Sequence, residues 1–421
     1  MGEYNIIGGM KMYGEIDIYG AKNAVLPILA GTILVDGEVV LKNTPKISDI
    51  IVATEMLRSL GAKIYREEDS LIVNNKELVS NVVDEDLVMQ MRCSIVFLGA
   101  LVGRFKECKI GYPGGCELGS RPIDLHLKGL RALGVTIREE HGFIYAKAEE
   151  LKGAEINLDF PSVGATENII LASVFAKGIT TIYNGAKEPE IVDLQNFLNM
   201  CGAKVRGAGT NKIVIEGVEK LNKYNCYEVM SDRIVAGTYI VATAMTGGDV
   251  TVKNVDSEQI KPILSKIEEV GCKVTIYEKD KLINIKSQNR LKAFDKLITM
   301  PYPAFPTDMQ SQMMALATIL DGTSIIVETI FESRNKHIGE LMKMGGNIIL
   351  SNDGMTSIIK GVKGLQGTIV TAKDLRGGAS LILAGLVAEG NTTVKNSHYV
   401  ERGYANIEED LSSLGCKIKK S

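Results

Sequence analysis

One cysteine of this 421-residue sequence occupies a stretch that has little capacity to bury a thiol. Cys116 follows two glycines in GYPGGCELGSRPIDLH, and Arg121 lies five residues further on. A thiol near arginines forms a thiolate more readily, or serves as a proton donor near neutral pH. The residue types and their spacing therefore make Cys116 a candidate for proton transfer, in a glycine-rich loop over residues 111–121.

Further candidates lie at the starts of six very apolar, helix-like segments, five of which carry a charged residue. These starts lie at Lys22–Asn23, Arg92, Val163–Gly164, Asp232–Arg233, Thr307–Asp308 and Leu375–Arg376. Three more arginines precede amphipathic segments, and these are Arg121, Arg334 and Arg402. Because a helix dipole disfavours a basic residue at an N-terminus unless an anion binds there, the pattern predicts anion sites. Arginines at such sites suit phosphate and carboxylate, so the expected ligand is a small polyanion.

The elements that must position these residues belong to an internal repeat. Six phrases of the type MLRSLGAKI end an amphipathic segment with a glycine and continue in β-type alternation. Their glycines are Gly61, Gly134, Gly202, Gly271, Gly345 and Gly415, about 70 residues apart. Each glycine is predicted to close its helix in the left-handed conformation and to lead into a strand.

Each repeat corresponds to a buried helix, a strand, an amphipathic helix and further strands, which predicts an α/β fold. Since 421 residues are too many for one core, we expect two domains of three units, with buried helices inside and sheets outside. The break is expected near residues 228–234, and two domains of similar build would place the charged helix starts across a cleft. The N-terminal strand pair within residues 4–20 could complete either domain.

Composition limits the classes of protein that fit. The net charge is −3, so nothing indicates binding to nucleic acid or to a membrane surface. No apolar run approaches the roughly 20 residues of a spanning helix and no signal sequence is evident, so we expect a cytoplasmic protein. The seven cysteines show neither CxxC nor Cys/His ligand spacing, so neither disulfides nor a metal site nor a cofactor is expected.

Most of the other cysteines fit buried positions of the repeat. The ones expected to pack in the core as small apolar residues are Cys93, Cys108, Cys201, Cys272 and Cys416. His126, close behind the Cys116 loop, is expected to be a structural hydrogen-bonding residue and not a base. Cys116 therefore stands apart as the thiol with no structural position to fill.

Eight stretches occur in order between about residues 4 and 418: GAKNAVLPIL, MRCSIVFLGALVGRF, PGGCELGSRPIDLH, PSVGATENI, PAFPTDMQSQ, ETIFESR, DLRGGASLILAG and ERGYANIEEDL. Together they resemble the UDP-N-acetylglucosamine 1-carboxyvinyltransferases, a family of enolpyruvyl transferases. The resemblance implies an inside-out α/β barrel architecture with domains at residues 22–231 and at 1–21 plus 232–421. It also implies a monomer that moves the enolpyruvyl group of phosphoenolpyruvate onto the 3′-hydroxyl of UDP-N-acetylglucosamine, releasing phosphate, at the start of peptidoglycan precursor synthesis.

The resemblance further implies roles for particular residues. Cys116 matches the family's proton donor, which can become covalently attached to phosphoenolpyruvate and is the thiol expected to react with fosfomycin. Asp308 matches the carboxylate that takes the proton of the attacking hydroxyl. The matches around phosphoenolpyruvate are Lys22, Asn23, Arg121 and Arg402, with Arg334 and Arg376 at its carboxylate. The matches around the nucleotide sugar are Asn23, Arg92, Arg121, Pro122, Ile123, Asp124, Leu125, Ser162, Val163, Gly164, Asp308 and Ile330. Phe160 and Pro161 depart from the pattern, since some members carry lysine and valine there.

Other classes of protein share part of this pattern. The enolpyruvyl transferase that uses shikimate 3-phosphate would share Lys22 and the arginines but has no reason to carry the PGGC loop. RNA 3′-phosphate cyclase, built on related units, calls for a nucleotide-attacking histidine and a basic face, whereas this chain has four scattered histidines. A repeat scaffold needs no charges at buried helix starts, and a nucleotide-sugar sensor has no use for Cys116 and Asp308 together.

Overall fold

The computed structural model describes residues 2–114, 122–221, 225–287 and 291–421. The predicted site residues Cys116 and Arg121 lie outside these ranges. The described chain forms two compact units. The first unit runs from Gly20 to Met230, and the second combines the residues up to Tyr19 with Ser231–Ser421.

The chain begins with two strands of the second unit, β1 (Glu3–Ile7) and β2 (Tyr13–Asp17). The elements of the first unit follow in chain order: α1 (Lys22–Thr32), β3 (Glu38–Lys42), α2 (Ser48–Ser59), β4 (Lys63–Glu67), β5 (Ser70–Asn74), α3 (Glu85–Gln90), α4 (Val96–Phe105), β6 (Glu107–Gly111), α5 (Asp124–Ala132), β7 (Thr136–Glu140), β8 (Phe143–Lys147), β9 (Glu155–Asn157), α6 (Val163–Ser173), β10 (Ile179–Tyr183), α7 (Pro189–Met200), β11 (Lys204–Arg206), β12 (Lys212–Glu216) and β13 (Asn225–Glu228).

The second unit continues with α8 (Arg233–Thr246), β14 (Asp249–Lys253), α9 (Lys261–Glu269), β15 (Lys273–Tyr277), β16 (Leu282–Lys286), β17 (Lys296–Ile298), α10 (Gln310–Ala317), β18 (Thr323–Val327), α11 (Ile338–Lys343), β19 (Asn347–Leu350), β20 (Thr356–Lys360), β21 (Ile369–Thr371), α12 (Leu375–Val387), β22 (Asn391–Lys395), α13 (Ile407–Ser413) and β23 (Lys417–Lys420). Short 3-10 helices lie at Arg92–Ile95, Ser257–Ile260, Glu278–Asp280, Thr307–Met309, Arg334–His337 and Ser397–Arg402.

The sheets repeat one topology. Five of the six sheets in the described residues have four strands in the same arrangement, an outer strand parallel to its neighbour followed by two antiparallel strands. Their orders are β13-β3-β5-β4, β9-β10-β12-β11, β2-β14-β16-β15, β17-β18-β20-β19 and β21-β22-β1-β23. The sixth, β6-β8-β7, has a single parallel bridge between Val82 and Lys109 in place of the outer strand. Each unit therefore holds three copies of one α/β element, as the sequence repeat predicts.

The two N-terminal strands complete sheets of the second unit. β1 lies between β22 and β23, with Ile6 opposite Ile418, and β2 pairs in parallel with β14. In the other direction, β13 pairs in parallel with β3 of the first unit before the chain enters α8. The chain thus passes from the second unit to the first and back again.

Buried helices form the centre of each unit. α8 is buried at all of its residues, and α4 packs on α1 and α6 while α12 packs on α8 and α10. Many strands instead alternate buried and exposed residues, as β16 and β22 do, so the sheets cover the helices with one face. Burying one Leu or Ile side chain contributes about 1.5–3 kcal/mol, which makes these helix cores the main source of stability. In the described ranges, no helix combines the length and apolar character needed to cross a membrane.

The repeat glycines adopt the conformation that the sequence predicts. All six have φ between 92° and 108°, and each lies two residues after the end of its amphipathic helix. This left-handed conformation is strained for any residue with a Cβ atom, which explains why glycine recurs at this position. The prediction of six left-handed helix ends is confirmed.

The cysteine predictions are confirmed except at Cys93. Four of the predicted core cysteines are buried: Cys108, Cys201, Cys272 and Cys416. Burial raises the pKa of the Cys108 thiol far above its usual range and that of Cys416 to about 11. Cys93 is only half-buried, because it lies in the 3-10 turn before α4 and not in the buried helix itself.

Candidate active site

The described site residues of the second unit centre on Asp308. Asp308 lies in the 3-10 turn that leads into α10, and its two carboxylate oxygens bind two arginines. Oδ1 accepts a hydrogen bond from Nη2 of Arg334 at 2.6 Å, and Oδ2 accepts one from Nη2 of Arg376 at 2.9 Å. The arginine side chains expose only 2% and 4% of their area, whereas Asp308 exposes 27%. Two buried positive charges therefore lie behind one partly exposed carboxylate.

The start of α12 fixes the position of Arg376. Asp374 is the N-cap of this helix, and its Oδ1 accepts hydrogen bonds from the backbone N–H groups of Arg376 at 3.0 Å and Gly377 at 2.9 Å. A basic side chain in the first turn of a helix is electrostatically unfavourable on its own. The contact with Asp308 supplies the negative charge that compensates it.

The charges of this cluster reinforce one another. Burial on its own would raise the pKa of the Asp308 carboxyl, but the charges of Arg376 and Arg334 and their hydrogen bonds hold that pKa well below its usual range. Burial would likewise lower the pKa of the Arg376 guanidinium, yet Asp308 keeps it above its ordinary value. Asp308 and Arg376 therefore stabilise each other's charged forms, and Asp308 in this arrangement is a very weak base.

Arg376 retains a donor that could bind a ligand. Its buried Nη1 makes no well-oriented hydrogen bond to a described residue, and its guanidinium carbon lies 5.9 Å from the centre of the ring of Tyr404, whose phenol is close enough to interact with it electrostatically. Leaving a buried donor unsatisfied costs about 1–3 kcal/mol. An anion such as a carboxylate, which accepts parallel hydrogen bonds from a guanidinium, would remove this cost.

Two further predicted residues of the second unit lie near this cluster. Ile330 is in the turn after β18, where its N–H donates to the side chain of Glu328 at 2.9 Å. Arg402 ends a 3-10 helix that packs against α12, and a Cβ atom on Gly403 would lie 2.8 Å from Leu375. The segments of Arg402 and Arg376 are therefore neighbours.

Lys22 and Asn23 open the buried helix α1 of the first unit. Nζ of Lys22 lies 2.5 Å from Oδ2 of Asp49, and the two side chains expose 10% and 4% of their area. The helix start is thus stabilised by an acid from α2. Sequence reasoning missed Asp49, because its only sequence signal is an acid in the first turn of an amphipathic helix.

The structure brings together the two segments predicted to contact the nucleotide sugar. Residues 122–125 lead into α5, residues 162–164 open α6, and these two helices pack on each other. A Cβ atom on Gly164 would lie 2.9 Å from Cε1 of His126, so glycine permits this close approach. The ring of His126 is hydrogen-bonded to the side chain of Asn168 at 2.7 Å, which confirms the predicted structural role of this histidine.

Three more residues of the first unit are Arg92, Ser162 and Phe160. Arg92 begins a 3-10 helix, and its Nη1 donates to the backbone oxygen of Pro113 at 3.2 Å. Ser162 is the N-cap of α6, where its Oγ accepts from the N–H of Ala165 at 3.4 Å. Phe160, at a position that departs from the family pattern, is 45% exposed. Arg92 is therefore hydrogen-bonded to Pro113, near the end of the described segment 2–114.

Comparisons with known proteins agree on a single class. Residues 6–411 match the model of the EPSP synthase (3-phosphoshikimate 1-carboxyvinyltransferase) family. The enolpyruvyl transferase NikO from Streptomyces tendae superposes with a TM-score of 0.89 at 24% identity, covering 100% of this chain and 99% of that one. EPSP synthase from Acinetobacter baumannii superposes with a TM-score of 0.76 at 20% identity, covering 100% of both chains. The fold is that of the enolpyruvyl transferases.

Sequence relatives narrow the class further. UDP-N-acetylglucosamine 1-carboxyvinyltransferase 2 of Caldanaerobacter subterraneus subsp. tengcongensis is 48% identical over 99% of both chains. UDP-N-acetylglucosamine 1-carboxyvinyltransferase 1 of Clostridium acetobutylicum is 47% identical over 100% of both chains. The present chain belongs to the family of UDP-N-acetylglucosamine 1-carboxyvinyltransferases.

Proposed function

We propose that this protein transfers the enolpyruvyl group of phosphoenolpyruvate to the 3′-hydroxyl of UDP-N-acetylglucosamine and releases phosphate, in peptidoglycan precursor synthesis. Its relatives at 45–48% identity carry the name of this activity. The structural observation that supports the proposal best is the carboxylate of Asp308 held by Arg334 and Arg376. A pair of buried arginines with a spare donor suits the carboxylate of phosphoenolpyruvate.

Binding of phosphoenolpyruvate would also activate the base. The substrate carboxylate takes the place of Asp308 on Arg334 and Arg376, so Asp308 loses the contacts that hold its pKa well below the usual range. A carboxylate released from two guanidinium groups is a stronger proton acceptor. Asp308 then becomes an effective base only when phosphoenolpyruvate is in place, which couples proton removal to the presence of both substrates.

The reaction then proceeds by addition and elimination. Cys116 gives its proton to C3 of phosphoenolpyruvate while the sugar hydroxyl attacks C2 and passes its own proton to Asp308. The resulting tetrahedral adduct then returns a proton from C3 to the Cys116 thiolate, and the electron pair of that C–H bond forms the C2–C3 double bond as the bond between C2 and the phosphate oxygen breaks. Phosphate leaves with the electron pair of the broken bond, and the proton held by Asp308 passes to the leaving phosphate or to solvent. Lys22, Arg121 and Arg402 are assigned to the phosphate, because cations stabilise the charge that develops on this leaving group.

The nucleotide sugar is assigned to helix starts. Residues 122–125 and 162–164 open α5 and α6, and N-terminal N–H groups of helices bind phosphate oxygens well. The other members of the predicted set are Asn23, Arg92, Arg121, Asp308 and Ile330. In this assignment the diphosphate and sugar are held by backbone groups and neutral side chains as well as by arginine.

A phosphate-release assay tests the proposal directly. Phosphoenolpyruvate is supplied alone, with UDP-N-acetylglucosamine, or with shikimate 3-phosphate as the competing acceptor. We expect phosphate release only with UDP-N-acetylglucosamine, together with a product heavier than this acceptor by one enolpyruvyl group in mass spectrometry. Phosphate release with shikimate 3-phosphate instead would show that this is the acceptor. No phosphate release with either acceptor would refute the proposal.

The proposal includes a cytoplasmic monomer that acts on small molecules only. The six described cysteines are free thiols, as is usual in a reducing compartment. Light scattering coupled to size-exclusion chromatography should give a mass near the 45.7 kDa of one chain. A mass of twice this value at micromolar concentration would contradict the monomer.

A further inference from the structure

We propose that Glu328 is a positioning residue for both substrates of the proposed reaction, acting on Arg334 through the hydroxyl of Thr307. Glu328 is not among the site residues predicted from the sequence. The inference rests on the proposed function, because Arg334 and Ile330 are the residues through which it acts. Glu328 follows β18 directly and is fully buried.

Every hydrogen bond of the Glu328 side chain leads toward the candidate site. Its Oε1 accepts hydrogen bonds from the N–H groups of Ile330 at 2.9 Å and Phe331 at 3.1 Å. Oγ1 of Thr307 lies 3.0 Å from each of its two carboxylate oxygens. A buried carboxylate is costly unless such donors surround it, and here they come from two segments that carry predicted site residues.

Thr307 transmits the position of Glu328 to Arg334. A carboxylate can only accept hydrogen bonds, so the Thr307 hydroxyl must point its single proton toward Glu328. The lone pairs of that hydroxyl are then available to Nε of Arg334, which lies 3.2 Å away. With Nε held in this way, Nη2 of the same guanidinium is directed at Asp308, or at the substrate carboxylate that replaces it.

A second contact from the same turn acts on Arg334. The ring of Phe331 lies 5.1 Å from the guanidinium carbon of Arg334, within the range of a cation–π interaction. Because Glu328 binds the N–H of Phe331, it holds this ring as well as the hydroxyl of Thr307. Two contacts thus orient the guanidinium plane, and both depend on the one buried carboxylate of Glu328.

The turn after β18 is also stabilised by hydrogen bonds that do not involve Glu328. A loss of folding can therefore be distinguished from a loss of positioning. The N–H of Thr329 donates to Oγ1 of Thr299 at 3.0 Å, and Oγ1 of Thr329 donates to the backbone oxygen of Thr299 at 2.5 Å. These bonds fix the turn after β18 without contacting Thr307 or Arg334. Thr299 is fully buried whereas Thr307 is half-buried, so the same Thr→Val change at Thr299 is a stringent control for the loss of a threonine hydroxyl.

The first experiment compares three threonine variants in steady-state kinetics. Thr307→Val removes the acceptor of Arg334 Nε, and we expect the KM for phosphoenolpyruvate to rise about tenfold while the affinity for UDP-N-acetylglucosamine is kept. Thr307→Ser restores the hydroxyl and should return KM to within about threefold of the wild type. Thr299→Val should lower the melting temperature and leave this KM unchanged. A KM for Thr307→Val within about twofold of the wild type would overturn the proposal.

The second experiment asks whether Glu328 acts through Thr307. Glu328→Gln keeps the shape but presents an amide donor to the hydroxyl, so it should raise the same KM and also weaken UDP-N-acetylglucosamine binding through Ile330. In the double variant with Thr307→Val, the effects on kcat/KM for phosphoenolpyruvate should be clearly less than additive. Full additivity would show that the two residues act separately and would overturn the relay.

A spectroscopic measurement keeps this inference distinct from the proposed function. With 15N-labelled arginine, the Nε proton of Arg334 should exchange slowly in the wild type and in Thr307→Ser, and quickly in Thr307→Val. Its signal is assigned by its loss in Arg334→Lys. A wild-type chain that releases no phosphate would refute the proposed function, while the exchange rates would still decide the relay, and equal rates in all variants would overturn it.

Discussion

Replacing Asp308 by asparagine should separate substrate binding from turnover. The wild-type carboxylate accepts hydrogen bonds from Arg334 at 2.6 Å and from Arg376 at 2.9 Å. The asparagine side chain would keep one acceptor oxygen and present an amide donor to the second arginine. The variant thus loses one charge-assisted hydrogen bond and the compensating negative charge, which should lower the free energy of unfolding by about 2–3 kcal/mol. This value is smaller than for a fully buried pair because Asp308 is 27% exposed. This corresponds to roughly 5–10 °C in melting temperature.

The Asp308→Asn variant should turn over more slowly without binding phosphoenolpyruvate less tightly. Without a base, turnover should fall by about 10² to 10⁴. The KM for phosphoenolpyruvate should stay the same or fall, because the variant no longer supplies the carboxylate that competes for Arg334 and Arg376. Phosphate release measured over a range of phosphoenolpyruvate concentrations gives both values. Turnover within about tenfold of the wild type would reassign the base, and a KM raised more than about tenfold would refute the exchange of carboxylates.

A matched control and the pH dependence sharpen the test. Asp249→Asn removes an acid from the exposed pair with Lys286 and should leave turnover unchanged, with a stability change of about 0–1 kcal/mol.

The folded pKa of Asp308 is depressed, so its contribution to stability is complete above the unfolded value of about 3.9 and is lost as the pH falls further. The difference in melting temperature between wild type and Asp308→Asn should therefore be constant from about pH 5 to 8 and shrink below about pH 4. A difference that shrinks near pH 6 would contradict the ion-pair account.

Three further predictions address other parts of the molecule. Cys116→Asp should stay active with an optimum at lower pH and resist inactivation by fosfomycin. Cys116→Ser should lose most turnover, because only a group of sufficient acidity protonates carbon. In the wild type, peptide mapping should find the fosfomycin adduct on Cys116 alone. Arg376→Ala should weaken phosphoenolpyruvate binding by roughly 1.5–3 kcal/mol while calorimetry shows intact binding of UDP-N-acetylglucosamine, and an equal loss of both with the fold intact would disprove the assignment. Gly202→Ala places a Cβ atom in open space at φ 108° and should lower the free energy of unfolding by about 1–2 kcal/mol through backbone strain alone. Gly364→Ala, also in open space but without positive φ, should be neutral or slightly stabilising. Similar urea midpoints for the two variants would refute the left-handed cap.

Much of the fold follows from local sequence signals. The six helix ends are marked by Gly61 and its five equivalents, because a left-handed residue after an amphipathic helix favours glycine whatever the rest of the chain does. The six buried helices are marked by their apolar character on all sides, and four predicted starts agree with the observed ones at Lys22, Val163, Arg233 and Leu375. At the other two, Arg92 and Thr307 begin short 3-10 helices, and the buried α-helices start only at Val96 and Gln310. Cys93 was misjudged because it lies in the short 3-10 turn that precedes the buried helix and not in the helix itself.

The charged starts of these helices could be read as anion sites from sequence, but their pairing could not. Asp308 meets Arg334 across 26 positions of sequence and Arg376 across 68, and no periodic signal links them. Likewise Lys22 meets Asp49 only because α1 packs on α2. Such contacts depend on how separate helices pack, whereas the pattern within each helix reports only which face is apolar.

Glu328 marks the limit of sequence reasoning for this chain. In the run TSIIVETIF it resembles an ordinary polar residue at the end of a strand, and a glutamate is rarely buried. Only the tertiary structure surrounds it with the hydroxyl of Thr307 and the N–H groups of Ile330 and Phe331, which make a buried carboxylate tolerable. The sequence by itself determined the repeated α/β units and the chemistry of the candidate residues, because both depend on local patterns and residue types. The tertiary structure alone decided which charges share a carboxylate and which acid is buried, because burial and distance arise from packing between segments far apart in the chain.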